Sequence, residues 1–207
     1  MTERQQQKIA PLAVSDVAFC RFFAAWAVWA RYDGSQTRIE ARAKMTTQRQ
    51  QPEVETIKAR HVVGTAADYT METRYGIPGQ WQAYFEAGRQ IENAVPGAMY
   101  GVSQMQGRQG GFRYVVGTQV DPVPDMLPEG CCSVRLSGGK YAVLRAFGPM
   151  ADLPASFDGL FSDWLPNSDC RQRAGAVFER YPQDARNGPQ GMAYEIWVPV
   201  ARRAGRK

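Results

Sequence analysis

Histidine is almost absent: His61 is the single one in 207 residues. A histidine-based metal centre or a Ser-His-Asp triad therefore has next to no material, and His61 itself reads as a structural residue on a strand. Cysteine is scarce too. Cys20, Cys131, Cys132 and Cys170 show none of the spacings of a zinc site. Neighbouring Cys131 and Cys132 would face opposite sides of a strand. Neither metal nor cofactor is expected, and reduced thiols with a cytoplasmic address are the default. Long apolar runs are missing as well. The longest, Phe22 to Ala30, falls far short of the roughly 20 residues of a spanning helix, so no membrane span is expected. The charged residues around it break the order of a secretory signal, and a short amphipathic helix fits better.

Nor is there a basic folded surface. The formal charge is +5, but it sits at the ends. Residues 1–51 hold 8 basic and 4 acidic residues, and residues 202–207 add four basic ones. Residues 52–201 hold 13 basic and 16 acidic residues. Nucleic-acid binding by the folded region would need the opposite distribution. Three regions follow: an N-terminal extension over 1–51, disordered or a short helix, a domain over 52–201, and a basic tail over 202–207. Met45 precedes a polar lead-in to the first good strand, as a natural start would.

What the domain does contain is a repeated order of elements. A strand from Glu53 to about Thr65, with a break near Ala59-Arg60, precedes a helical face of Ile77, Trp81, Tyr84, Phe85 and Ile91, with Pro78 at its start. Met99 to Gln104 and Phe112 to Val120 read as strands around a Gly-rich turn. Ser133 to Leu136 and Lys140 to Phe147 then read as a strand pair around Gly138-Gly139. Leu153, Phe157, Leu160, Phe161 and Trp164 form a second helical face behind Pro154. Ala176 to Tyr181 and Tyr194 to Val200 are the last strands.

The two series match residue by residue. Ile77-Pro78, Trp81, Tyr84 and Phe85 align with Leu153-Pro154, Phe157, Leu160 and Phe161 at an offset of 76. Arg60-His61-Val62-Val63 aligns with Gly139-Lys140-Tyr141-Ala142 at 79, and Ala98-Met99-Tyr100 with Ala176-Val177-Phe178 at 78. Tyr114 to Val120 aligns with Tyr194 to Val200 at 80. The offset drifts only across loops, where insertions are tolerated. The expected fold is α+β: two pseudo-symmetric β-α-β-β units with antiparallel sheets, one long helix each, and a central ligand groove between them.

Within the last strand Glu195, Trp197 and Pro199 share one face, and Tyr194, Ile196, Val198 and Val200 the other. Glu195 aligns with Val115 and Trp197 with Gly117. One half thus offers an acid and an indole where the other offers a small apolar floor.

Trp81…Tyr84-Phe85, Met99-Tyr100-Gly101-Val102, Gly139-Lys140-Tyr141-Ala142-Val143, Gly148-Pro149, Asp163-Trp164-Leu165-Pro166, Phe178-Glu179-Arg180-Tyr181 and Glu195-Ile196-Trp197-Val198-Pro199 together resemble the GyrI-like effector-binding domain. That domain occurs alone and at the C-terminus of AraC-type and drug-sensing MerR-type regulators. The resemblance covers residues 52–201. It implies a pocket for lipophilic, often cationic small molecules with a glutamate on its floor among aromatic rings. Glu195 matches that acid by position. Trp197, Tyr100, Tyr114, Tyr141, Trp164 and Tyr181 are the candidate ring residues. Residues 1–51 are too short for the attached DNA-binding region and lack a helix-turn-helix pattern, so the chain reads as a stand-alone member.

The chemistry of such a pocket is simple. A carboxylate among rings loses hydration, and a lipophilic cation restores the charge balance and stacks on the aromatic faces. Glu179 reads instead as a partner for a cation on a neighbouring strand. The leading expectation is sequestration or sensing of a hydrophobic cation, or resistance to it, without turnover. Some stand-alone members are associated with hydrolysis of cyclopropane-containing DNA-alkylating natural products, and there Glu195 would serve as general base. A third reading is a protein-interaction module such as a gyrase modulator.

Overall fold

The computed structural model describes residues 48–106 and 111–203. The proposed start at Met45, the apolar run at Phe22 and the last four residues lie outside them.

Among the described residues ten strands form one antiparallel sheet. They are β1 (Gln48–Arg49), β2 (Glu53–Ile57), β3 (Arg60–Tyr69), β4 (Ala94–Gln106), β5 (Gly111–Val120), β6 (Cys131–Leu136), β7 (Gly139–Gly148), β8 (Cys170–Gln172), β9 (Val177–Pro182) and β10 (Met192–Arg202). The main order is β1-β7-β10-β9-β4-β5-β3-β6, with β2 also on β7 and β8 on β10. Helix α1 (Ile77–Glu86) follows β3, as its apolar spacing predicts, and Pro78 occupies its first turn. The second helical stretch is broken rather than long. Helix α2 (Leu153–Asp158) runs into a π-helical segment, Gly159–Trp164, and then into α3 (Leu165–Asn167). The α+β fold and its antiparallel sheet are as expected, and the single long second helix is not.

The repeat appears in the pairing registers. Val62 pairs with Gln119 between β3 and β5; adding the sequence offsets gives Tyr141 and Pro199, which pair between β7 and β10. Tyr100 pairs with Gly117, and the shifted positions Phe178 and Trp197 also pair. The units meet along β4 and β9, where Gly101 stands opposite Glu179. These two residues are equivalents of one another at the offset of 78.

The expected β6–β7 hairpin does not form. β6 pairs with β3 of the first unit, and β2 with β7 of the second. Each unit's leading strand has crossed to the other unit. The break at Ala59-Arg60 is the point where the chain leaves β7 for its place beside β5. The domain also begins and ends differently from the sequence division: β1 already lies on β7, and Arg202 completes β10. Arg203 donates to the carbonyls of Cys170 (2.7 Å) and Leu165 (3.3 Å), so it belongs to the fold and not to a tail.

The sheet has two apolar faces. Trp81, Tyr84 and Phe85 of α1, with Leu160 and Leu165 of the second stretch, bury against Tyr114, Val116, Leu144, Tyr181 and Ile196. Each such side chain contributes about 1.5–3 kcal/mol by leaving water. The other face gathers Tyr100, Val102, Tyr141, Phe178 and Trp197 with Leu136 of β6, and Ile57 of β2 lies against them. End strands and central strands share this second cluster, so the sheet curls over it.

Candidate functional site: a buried glutamate between two tyrosines

Strand alternation decides where the aromatic and acidic residues go. Phe178 faces the curled side, so Glu179 faces the helices and Arg180 the curled side again, as does Glu195. The seven residues expected around one groove are therefore divided by the sheet. Tyr100, Tyr141, Trp197 and Glu195 lie on the curled side, and Tyr114 and Tyr181 on the helix side. Trp164, at the end of the π segment, is only partly buried and packs on the helix-side core. No common groove brings all seven together.

Two glutamates are buried to nearly the same degree, Glu179 at 7% and Glu195 at 9% exposure. Their partners differ. Glu195 Oε1 lies 3.0 Å from Arg180 Nη1 and 3.7 Å from Arg145 Nε, and its Oε2 accepts from Trp197 Nε1 at 2.8 Å. Arg145 in turn reaches Glu55 at 2.6 Å and lies 6.0 Å from the Trp197 ring. The charge on Glu195 is compensated by the protein. Nor is Gly117, the repeat equivalent of Trp197, a free floor: a Cβ there would run into the carbonyl of Val63.

Among the described residues Glu179 has no such cation. Its Oε2 accepts from the hydroxyl of Tyr114 at 2.5 Å and of Tyr181 at 3.0 Å. Tyr114 in turn accepts from Trp81 Nε1 at 3.1 Å. Burial pushes the Glu179 carboxyl up to about 7, against the pull of the two hydroxyl donors. The same burial, with the carboxylate alongside, holds both tyrosine hydroxyls well above their ordinary range. They remain neutral donors at any physiological pH. The Trp81 ring stands edge-on to Tyr181 with centroids 5.2 Å apart, and Trp81 itself is fully buried. The indole of α1 thus covers the two tyrosines on the helix side.

Gly101 makes the arrangement possible. A Cβ at this position would overlap both the Tyr114 hydroxyl and Glu179 Oε2. The acid and the glycine that leaves room for it are repeat equivalents at the junction of the units. Among the described residues no group of three His, Cys, Asp or Glu side chains gathers as a metal site. No helix among them is long and apolar enough to cross a membrane.

An antiparallel α+β scaffold with a buried carboxyl held by two tyrosine hydroxyls under a helical cover is an arrangement suited to ligand binding. The chain belongs to the GyrI-like small molecule binding domain family, whose profile matches residues 50–201. The probable transcriptional regulator YgiV of Escherichia coli K12 is 30% identical over 92 residues, covering 44% of this chain and 57% of that protein. The transcriptional regulator BrlR of Pseudomonas aeruginosa is 31% identical over 110 residues, covering 51% of this chain and 38% of that protein. The match thus spans less than two thirds of either relative. Among solved structures, SAV2435 bound to tetraphenylphosphonium superposes with a TM-score of 0.59 at 19% identity, covering 73% of this chain and 94% of that one. An integron cassette protein of Vibrio cholerae gives 0.57 at 17% identity, covering 75% and 99%.

Proposed function

We propose that this protein binds a lipophilic organic cation at Glu179, with Tyr114 and Tyr181 as the walls. The observation that carries this reading is a buried carboxyl whose hydrogen-bond donors are neutral hydroxyls. Ionising it without a counter-charge is unfavourable, and burial has accordingly raised its proton affinity. An organic cation supplies the missing charge. At an effective dielectric constant near 20 and a separation of about 5 Å the attraction is about 3 kcal/mol. Stacking on the tyrosine faces adds about 1–2 kcal/mol. Glu195, the acid singled out by its strand, already has two guanidinium partners and offers less to such a ligand. That SAV2435 holds tetraphenylphosphonium in the same fold supports the choice of ligand class.

The deciding experiment is calorimetric titration with tetraphenylphosphonium and with the neutral triphenylphosphine oxide. The cation is expected to bind, the oxide to bind weakly, and Glu179→Gln to weaken the cation alone by about ten- to a hundredfold. Equal affinity for both ligands, or an unchanged Glu179→Gln, overturns the reading. A second reading, hydrolysis of an electrophile, draws on the same carboxyl. A group titrating near 7 between two tyrosine hydroxyls suits a general base. Chromatography of the titration mixtures with a strained-ring electrophile separates the two, since only the hydrolase yields product.

A further inference from the structure

The second unit carries its own tyrosine at the position equivalent to Tyr114. This is Tyr194, and the sequence offsets place Ser156 where the first unit has Gln80. Tyr194 is buried, and its hydroxyl lies 2.7 Å from Ser156 Oγ. Ser156 is fully buried, donates to the Asp152 carbonyl at 3.2 Å, and accepts from Arg49 Nε at 2.8 Å. With its proton on Asp152, the serine oxygen has two lone pairs, one for Arg49 and one for Tyr194. The first unit gives its tyrosine an anion. The second gives its tyrosine, through one serine, a cation.

Beside this chain lies a cavity of about 340 Å³ between the β1–β2 connection and the second helical stretch. Arg49, Ser156, Leu144, Leu160, Asp163 and Trp164 line it, and it shares no lining residue with the Glu179 site. The Nε of Arg49 donates to Ser156, which holds the guanidinium, with its two terminal nitrogens, at the rim of the cavity and beside Tyr194. Those nitrogens form a fork suited to a carboxylate. Leu144, Leu160 and Trp164 supply an apolar slot for a flat ring. Asp163 accepts from Asn167 at 3.3 Å through one oxygen and makes no ion pair among the described residues. The wall that carries Asp163 and Trp164 is the π-helical segment Gly159–Trp164, an irregularity often found at functional positions.

We propose that this cavity is a second ligand site, selective for a small aromatic carboxylate with an amino or hydroxyl substituent. Arg49 takes the carboxylate, Trp164 and Leu160 hold the ring, and Asp163 accepts from the substituent. The site is opposite in charge preference to the one at Glu179 and independent of it.

The test is calorimetric titration with benzoate, 4-aminobenzoate and neutral benzamide. Benzoate is expected to bind at least about tenfold more tightly than benzamide, and 4-aminobenzoate more tightly still. Arg49→Met should bring benzoate down to the level of benzamide, while Glu179→Gln leaves all three unchanged. A circular dichroism melt checks that Arg49→Met folds. If it does not, Asp163→Asn should remove the advantage of 4-aminobenzoate over benzoate. No binding at millimolar concentration, equal binding of benzoate and benzamide, or loss of benzoate binding in Glu179→Gln overturns the proposal.

Discussion

Gly101 and Glu179 face each other across the seam between β4 and β9. They are the same position in the two units, one bearing a carboxyl and the other no side chain at all. The vacancy on the first strand is filled by the carboxyl of the second and by the hydroxyl that binds it. An asymmetric site has been made from a repeated scaffold by giving its two copies opposite extremes of side-chain size.

Gly101→Ala should therefore act on the acid rather than on the strand. The new methyl overlaps the Tyr114 hydroxyl and Glu179 Oε2, and both would have to move. A loss of about 1–3 kcal/mol is expected in denaturant titration, as for overpacking of a tight core. Tetraphenylphosphonium binding should fall at least as far as in Glu179→Gln. Retained stability together with retained binding would show that the seam is looser than described.

The Glu179 carboxyl makes stability depend on pH in an unusual direction. Its folded pKa, about 7, lies above the ordinary value of 4.5. Between these values the folded state holds a proton that the unfolded state has released, so stability falls as pH rises. The stabilisation is complete below about pH 4.5 and is lost through pH 7, amounting to roughly 3 kcal/mol. Thermal melts of the wild type against Glu179→Gln isolate this contribution, since the glutamine variant should lack the decline. Affinity for an organic cation should follow the reverse course, rising with pH through the same range.

Glu195→Gln should separate stability from binding. The change leaves Arg145 and Arg180 facing each other's charge without the shared acid. Both guanidiniums are partly solvated, so a loss of about 1–3 kcal/mol is expected. Cation affinity should stay within about twofold of the wild type. If it instead collapses while Glu179→Gln has no effect, the site lies on the curled side of the sheet.

Trp81→Phe tests the role of the indole as a cover. The variant removes the donor to Tyr114 and part of a fully buried ring. Stability should drop by about 1–3 kcal/mol. Tetraphenylphosphonium should bind as well as before or better, because less apolar surface must be displaced. A fall in affinity parallel to that of Glu179→Gln would make Trp81 a wall of the site and not its cover.

The helix faces were legible because Trp81, Tyr84 and Phe85 recur at a spacing set by the helix itself. The repeat was legible for the same local reason, and its offsets carry through to the ladder registers. Strand exchange was not. Gly138-Gly139 looks like a tight turn, and only contacts with distant β2 and β3 show that the flanking strands part. The acid was hidden by its neighbours. In Phe178-Glu179-Arg180-Tyr181 the acid reads as the partner of a cation on a neighbouring strand, whereas Glu195 stands out in an apolar strand. Alternation held the missing signal: Glu179 shares a face with Tyr181, Arg180 shares one with Glu195, and the equivalent of Glu179 is a glycine.

The crossing of β2 and β6 has a consequence for how the chain could be divided. A fragment ending after β5 would keep β2 without the strand it lies against, and a fragment beginning at β6 would have the converse defect. Neither piece can close its own edges, yet each carries the arm that the other lacks. The two halves are thus clasped to one another through β2 on β7 and β6 on β3. Cut at the linker between β5 and β6, the halves should reassemble from separate chains, and neither should fold by itself.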